Sequence, residues 1–184
     1  MTKQVPKWLK TAQQQWDFRG QNRPRFAIEP APDQESVWDY PRPPALVADG
    51  RLVVVKVGER VIAESSATMR VLETASPPTF YIPPRDVEMT QLVNVAGSSM
   101  CEWKGSAKYW ALTNSGSERA VGWSYPSPFA EFAQIQDYLA FYPSRVDCLV
   151  DGERVRAQAG EFYGGWVTDE IVGPFKGDPG TGGW

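Results

Sequence analysis

The sequence predicts a mainly β protein built from antiparallel strands, and three observations lead to this fold class. First, 16 glycines and 16 prolines interrupt a chain of 184 residues, which leaves little room for long helices. Second, the segments between these turn formers are rich in the β-branched and aromatic residues that favour strands. Third, the apolar runs are short and closely spaced, without the strand–helix alternation of a parallel sheet. They indicate antiparallel sheets in a compact two-sheet roll or a partly open barrel, with at most one short helix.

The composition changes near residue 36 and divides the chain into an arm and a body. Residues 1–36 are rich in glutamine and proline and are basic up to Arg25. A short helix after Pro6 would place four apolar residues on one face: Trp8, Leu9, Ala12 and Trp16. We expect this N-terminal arm to pack its tryptophans on the body or on a second subunit. Nucleic-acid binding through its basic and aromatic residues is the less favoured alternative.

Residues 37–184 are predicted to form one β domain whose glycine-rich tail begins at about residue 160 and wraps the domain or a neighbouring subunit. Two Asp-Gly pairs, Asp49-Gly50 and Asp151-Gly152, predict two-residue hairpin turns, because both positions of such a turn need a positive φ. Ser127-Pro128 provides a cap and a first position for a helix over residues 129–136.

The residue types exclude several classes of site. The chain has no histidine, which removes Ser–His and Cys–His nucleophile pairs and histidine-ligated zinc. Its two cysteines, Cys101 and Cys148, cannot form a four-sulfur zinc site. Without a histidine to activate it, Cys101 is disfavoured as a nucleophile. We therefore predict neither a metal nor a cofactor.

The net charge and the hydropathy pattern indicate which binding partners and which cellular location to expect. A net charge of −3 gives no general attraction to nucleic acid or to an anionic membrane. No apolar run approaches the ~18 residues of a membrane-spanning helix, and the first residues lack the apolar core of a secretory signal. We expect a cytoplasmic protein that binds neither nucleic acid nor membranes.

Two charged residues fall among apolar neighbours and are candidate polar anchors. Glu73 shares one face of a predicted strand with Met69 and Val71, so its carboxylate needs a partner or a raised pKa. A structural ion pair and a general acid–base role both remain open for it. Lys104 lies between large apolar groups, and we expect it to be partly buried and paired with Glu73.

Five motifs, in this order, carry a resemblance to a known family. They are ESSATMRVLET at 64–74, PTFYIP at 78–83, CEWKG at 101–105, WSYP at 123–126 and AFYP at 140–143. Over about residues 37–184 the chain resembles a bacterial family catalogued as domain of unknown function 427, in a longer subtype. Some catalogues label that family a putative nucleotidyltransferase. The resemblance implies a tent-like antiparallel β domain of the kind known for small-ligand pockets, with the motifs converging on one site.

The favoured functional hypothesis is a pocket for a small molecule, either a nucleotide or another metabolite. Mostly apolar walls with a few convergent polar groups are the usual design of such pockets. One alternative is an enzyme that uses Glu73 and Lys104 as an acid–base pair for hydrolysis or group transfer. Another is a homodimeric interaction protein held together by its terminal arms. The expected ligand-binding side chains are Tyr81, Cys101, Trp103, Trp123, Tyr125 and Tyr142.

Overall fold

The structure, a computed structural model, describes residues 5–113, 115–116, 118–160 and 162–184. Strands make up 37% of it and helices 13%, which confirms the predicted mainly β fold. The strands are β1 (Glu35–Ser36), β2 (Ala45–Asp49), β3 (Val53–Val57), β4 (Arg60–Ser65), β5 (Thr68–Glu73), β6 (Ser76–Tyr81), β7 (Leu92–Val95), β8 (Met100–Cys101), β9 (Gly105–Ser106), β10 (Lys108–Leu112), β11 (Gly122–Ser124), β12 (Leu139–Phe141), β13 (Asp147–Val150), β14 (Glu153–Arg154), β15 (Arg156–Ala157), β16 (Trp166–Val167) and β17 (Ile171–Val172).

The helices are short. The α-helix α1 (Lys7–Gln14) begins after Pro6, as expected for the arm, and buries Leu9 while Trp8 stays exposed. The predicted helix at residues 129–136 is a 3-10 helix over Ala130–Ile135. Further 3-10 helices cover Val37–Asp39, Pro84–Asp86 and Met89–Gln91. No helix in the described ranges has the length and apolar character needed to cross a membrane.

In the part of the chain that the structure describes, three antiparallel sheets of three or four strands form the body. One has the strand order β12–β11–β10–β7, the second β14–β13–β3–β4 and the third β2–β5–β6. An isolated bridge between Ile82 and Leu139 joins the end of β6 to β12. Along β3 the buried residues Val53 and Val55 alternate with partly exposed ones, because successive side chains of a strand point to opposite faces. The main core therefore lies between the sheets.

Of the two predicted Asp-Gly hairpins, one forms and the other does not. At Asp151-Gly152 both residues have positive φ, and β13 pairs with β14 across them. The prediction at Asp49-Gly50 was wrong, since β2 pairs with β5 while β3 pairs with β4 and β13. The Asp49 carboxylate instead accepts hydrogen bonds from the amide of Arg51, at 3.0 Å, and from its guanidinium, at 2.7 Å. After this local bond the chain continues into β3, which belongs to a different sheet.

Segments from both ends of the chain pack together. The short strands β1 and β17 form a parallel pair, and Glu35 lies opposite Ile171. Nearby, four rings form what we call the terminal aromatic cluster. Its members are Phe18, Phe26, Trp38 and Trp184.

Candidate functional site

A cavity of about 260 Å³ opens between the β5–β6 hairpin, the sheet that contains β10–β12, and the tail. Val71 and Glu73 are two residues apart on β5, and Thr79 and Tyr81 are two apart on β6, so each pair presents one face to it. Val71 lies directly opposite Thr79 in the hairpin. The remaining lining side chains come from the start of β6, from β8 and the residues on either side of it, from β10 and β11 with their neighbouring residues, from the segment after β12 and from both ends of the chain. We call this space the aromatic cavity, after Trp16, Tyr81, Tyr109, Trp123, Tyr125, Tyr142, Phe162 and Tyr163.

Seven of the eight residues expected at the site line the aromatic cavity: Glu73, Tyr81, Cys101, Lys104, Trp123, Tyr125 and Tyr142. Trp103 does not. Its ring borders a different groove, together with Lys10, Arg19 and Phe132. The indole nitrogen of Trp103 is buried and has no hydrogen-bond partner in the described structure. Sequence position alone could not separate Trp103 from its neighbours, because a tight turn sends consecutive side chains in different directions.

The CEWKG motif is that tight turn. Cys101 at the end of β8 pairs with Gly105 at the start of β9, and three residues form the loop between them. Gly105 has a φ of +103°, which only glycine adopts without strain, as in a hairpin loop closed by a bulge. The turn brings Lys104 back beside Cys101 in the wall of the cavity.

Lys104 is a buried cation. Only 8% of the residue is exposed. Burial lowers its pKa, but the sulfur of Cys101, the hydroxyl of Tyr81 and the carboxylate of Glu73 favour the charged form, and the net effect raises the pKa. Its ammonium nitrogen lies 5.9 Å from the ring centre of Tyr125 and 5.8 Å from that of Phe132. Lys104 therefore carries a positive charge at neutral pH in a mostly aromatic environment.

The tyrosine hydroxyls around Lys104 are neutral hydrogen-bonding groups. The indole of Trp123 donates to the hydroxyl of Tyr81 over 3.2 Å. Burial raises the pKa of Tyr81, Tyr125 and Tyr142, so these hydroxyls keep their protons at neutral pH. Each can donate to an acceptor that enters the cavity.

The carboxylates of the site have partners other than Lys104. Glu73 accepts from the guanidinium of Arg42 at 3.2 Å, and Glu102 accepts from the indole of Trp16 at 3.1 Å. The predicted Glu73–Lys104 ion pair was wrong, since Glu73 pairs with Arg42 and no nitrogen–oxygen distance of 4.0 Å or less joins it to Lys104 among the described residues, although its charge still raises the pKa of Lys104. Arg42 precedes the β domain motifs in sequence, and only folding brings its guanidinium to Glu73. Among the described residues no group of three or more metal-binding side chains could hold an ion.

A comparison with protein families matches residues 45–152 to the family described as "Domain of unknown function (DUF427)". The chain belongs to this family. No curated protein matches it significantly. The seven cavity residues that were expected from the sequence all lie within the matched segment of this DUF427 chain.

Segments outside the matched part of the DUF427 chain complete the cavity, and most of them were missed by sequence reasoning. The cavity is also lined by Trp16 from the arm and by Gln158, Phe162, Tyr163 and Gly164 from the tail. They lie far from the motifs along the chain, so no local spacing pattern identifies them. Tyr109, on β10, is a further missed residue, although it falls within the matched segment.

Lys176, also in the tail, does not line the cavity but lies over the ring of Trp16. Its ammonium nitrogen is 3.5 Å from the Trp16 ring centre, and the guanidinium carbon of Arg42 is 4.3 Å from the same ring. Burial and the nearby charge of Arg42 lower the pKa of Lys176 to about 8. These two cations hold Trp16 against the cavity by cation–π contacts.

Replacing Gly164 by alanine is expected to disturb the cavity wall of the DUF427 chain. A β-carbon there would lie 2.6 Å from Cζ3 of Trp123 and 3.3 Å from Cδ1 of Tyr142. Such overpacking typically lowers the free energy of unfolding by about 1–3 kcal/mol. Urea unfolding measures this loss. The matched control is Gly182→Ala, because a β-carbon at Gly182 meets no atom within 4 Å. Equal stability of the two variants would contradict the packing of the tail on Trp123.

Proposed function

We propose that this DUF427 protein binds a small organic molecule in the aromatic cavity, with a carboxylate or carbonyl oxygen of that molecule facing Lys104. The observation that carries the proposal is a charged, buried lysine that lines a cavity, with no carboxylate within ion-pair distance among the described residues. A buried charge without a counter-ion is unfavourable in a folded protein. An oxygen of a bound ligand would remove that cost.

The walls support an aromatic or other flat ligand. Neighbouring rings meet at centre distances of 4.5 Å for Trp123 and Tyr142, and 6.3 Å for Tyr81 and Tyr125. Rings that are fixed by packing provide apolar contact area with little loss of side-chain entropy on binding. The hydroxyls of these tyrosines would fix the orientation of the ligand.

The size of the cavity favours a molecule smaller than an intact nucleotide. Its volume of about 260 Å³ lies just below the roughly 300–1,000 Å³ of most ligand pockets. We therefore favour a small metabolite over the nucleotide alternative. We also favour binding over acid–base catalysis by Glu73 and Lys104, because the Glu73 carboxylate already accepts a hydrogen bond from the guanidinium of Arg42.

Benzoate is a suitable first probe, since it combines a flat ring with one carboxylate. We expect benzoate to raise the melting temperature and to bind measurably in titration calorimetry. Replacing Lys104 by methionine removes a charge-assisted hydrogen bond of about 1.5–3 kcal/mol, which corresponds to roughly 10- to 100-fold weaker binding. Lys108→Met is the matched control, because Lys108 belongs to the neighbouring strand β10 and does not line the cavity.

Two outcomes would contradict the proposal. One is that benzoate binds with the same affinity to the Lys104→Met variant and to the unaltered protein. The other is that benzyl alcohol, which has the ring without the carboxylate, binds as tightly as benzoate. In either case Lys104 would not be the anchor of the ligand.

A further inference from the structure

The two cysteines of this protein have opposite environments. Cys101 is partly exposed and lines the aromatic cavity. Cys148 lies on β13 with 1% exposure, and burial raises the pKa of its thiol. A buried thiol of this kind is usually inert, whereas a thiol in a cavity can meet a bound molecule.

Lys104 and Tyr125 both interact with the sulfur of Cys101. These interactions favour the charged form of Lys104 and the protonated form of Tyr125. A cysteine is reactive as its thiolate, and a positively charged neighbour is a common feature of reactive cysteine sites. The turn between β8 and β9 thus places a lysine beside the sulfur, in a chain that has no histidine to take that position.

Hydrogen-bond donors surround the same space. The ammonium of Lys104 and the protonated hydroxyls of Tyr81 and Tyr125 line the cavity together with the sulfur. Donors beside a nucleophile stabilise the negative oxygen that forms when the nucleophile attacks a carbonyl carbon. A nucleophile, a neighbouring positive charge and such donors are the parts required for acyl transfer.

We propose that Cys101 is a nucleophile that accepts an acyl group from a small ester or thioester bound in the aromatic cavity. This inference rests on the proposed function, since the acyl donor is a carbonyl compound of the class expected to bind there. The sulfur of Cys101 loses its proton to water and forms a bond to the acyl carbon, and the bond from that carbon to the leaving oxygen or sulfur breaks. The leaving group takes a proton from the ammonium of Lys104, which regains one from water. The products are a thioester on Cys101 and a free alcohol or thiol.

The test uses the full chain and p-nitrophenyl acetate as the acyl donor. Absorbance measures the release of nitrophenolate, and mass spectrometry of proteolytic fragments locates the acetyl group. We expect one acetyl group on Cys101, none on Cys148, and no acetylation of the cavity in a Cys101→Ser variant. The Cys148→Ala variant should react as the unaltered protein does. Acetylation that is equal in the Cys101→Ser variant and the unaltered protein would overturn the proposal.

Variants of Lys104 test its role in the reaction. Removal of one donor to a developing negative oxygen slows a reaction on the order of 100-fold, and we expect a loss of this order in Lys104→Met. Lys104→Arg keeps the positive charge and should recover part of the rate. If Lys104→Met is acetylated as fast as the unaltered protein while circular dichroism shows both to be folded, Lys104 takes no part in the reaction and the mechanism fails.

Competition with benzoate separates this inference from the proposed function. If benzoate binds but Cys101 is never acetylated, the proposed acyl transfer is wrong and the proposed binding site is retained. If Cys101 is acetylated rapidly but benzoate neither binds nor slows the reaction, the role of Cys101 as nucleophile is retained and the proposed ligand class is wrong. We expect benzoate to bind and to slow acetylation.

Discussion

The Arg42→Met variant is expected to lose about 3 kcal/mol of folding stability, the lower end of the 3–5 kcal/mol found when one partner of a buried ion pair is removed. The guanidinium is fully buried and donates to the main-chain oxygens of Thr74, at 2.8 Å, and Phe18, at 3.0 Å, besides its ion pair with Glu73. We expect the lower end of this energy range because the Glu73 side chain is 20% exposed, so water partly screens its unpaired charge in the variant. Urea unfolding with the linear extrapolation provides the measurement.

The matched control for Arg42 is Arg85→Met. The Arg85 side chain is 71% exposed, and its nitrogen lies 3.7 Å from the carboxylate of Asp86. Exposed pairs of this kind contribute about 0–1 kcal/mol. A stability loss in the Arg42 variant no larger than that of the Arg85 variant would show that Arg42 does not connect the arm to the β5–β6 turn. Because Arg42 also lies over the ring of Trp16, we expect weaker benzoate binding in the same variant.

We expect the Trp38→Ala variant to lose about 3–5 kcal/mol of folding stability, the usual range when a buried tryptophan is removed from a core. Trp38 is fully buried at the centre of the terminal aromatic cluster. Its ring lies 5.2 Å from Phe18, 5.1 Å from Phe26 and 5.2 Å from Trp184, centre to centre. Its indole nitrogen donates to the main-chain oxygen of Pro174 over 3.1 Å. The variant should therefore weaken contacts from both ends of the chain at once.

Trp8→Ala serves as the comparison for Trp38, because Trp8 is 61% exposed and such surface changes usually stay within about 0.5 kcal/mol. Chemical denaturation of both variants, followed by far-UV circular dichroism, measures the difference. If the Trp38 variant unfolds in two separate transitions instead of one, the terminal segments would form a unit that is independent of the sheets.

Part of the site could be predicted from the sequence because strands impose a simple rule on their side chains. Residues two apart share a face, so the position of Glu73 relative to Val71 followed from the strand assignment alone. The family motifs then suggested that distant strands meet. Within the CEWKG turn this rule fails, which is why Trp103 faces another groove while Lys104 and Cys101 face the cavity.

Contacts between distant segments were the main source of error. Glu73 was expected to pair with Lys104, but Arg42 is its partner, and nothing near Arg42 in the sequence indicates this. The Asp49-Gly50 turn had the composition of a hairpin, and the pairing of β2 with β5 overrode it. A cytoplasmic location, a homodimer held by the terminal arms, and the division of the chain at residue 36 stay predictions.

The sequence by itself determined the β class, the absence of histidine chemistry and the family motifs, because these depend on residue types and on periods of two residues along a strand. Only the tertiary structure decided which charges meet, which cysteine is reachable and that Trp16 and Tyr163 complete the cavity. The physical reason is that side-chain contacts between segments many residues apart depend on how whole sheets and arms pack. No local pattern encodes that packing.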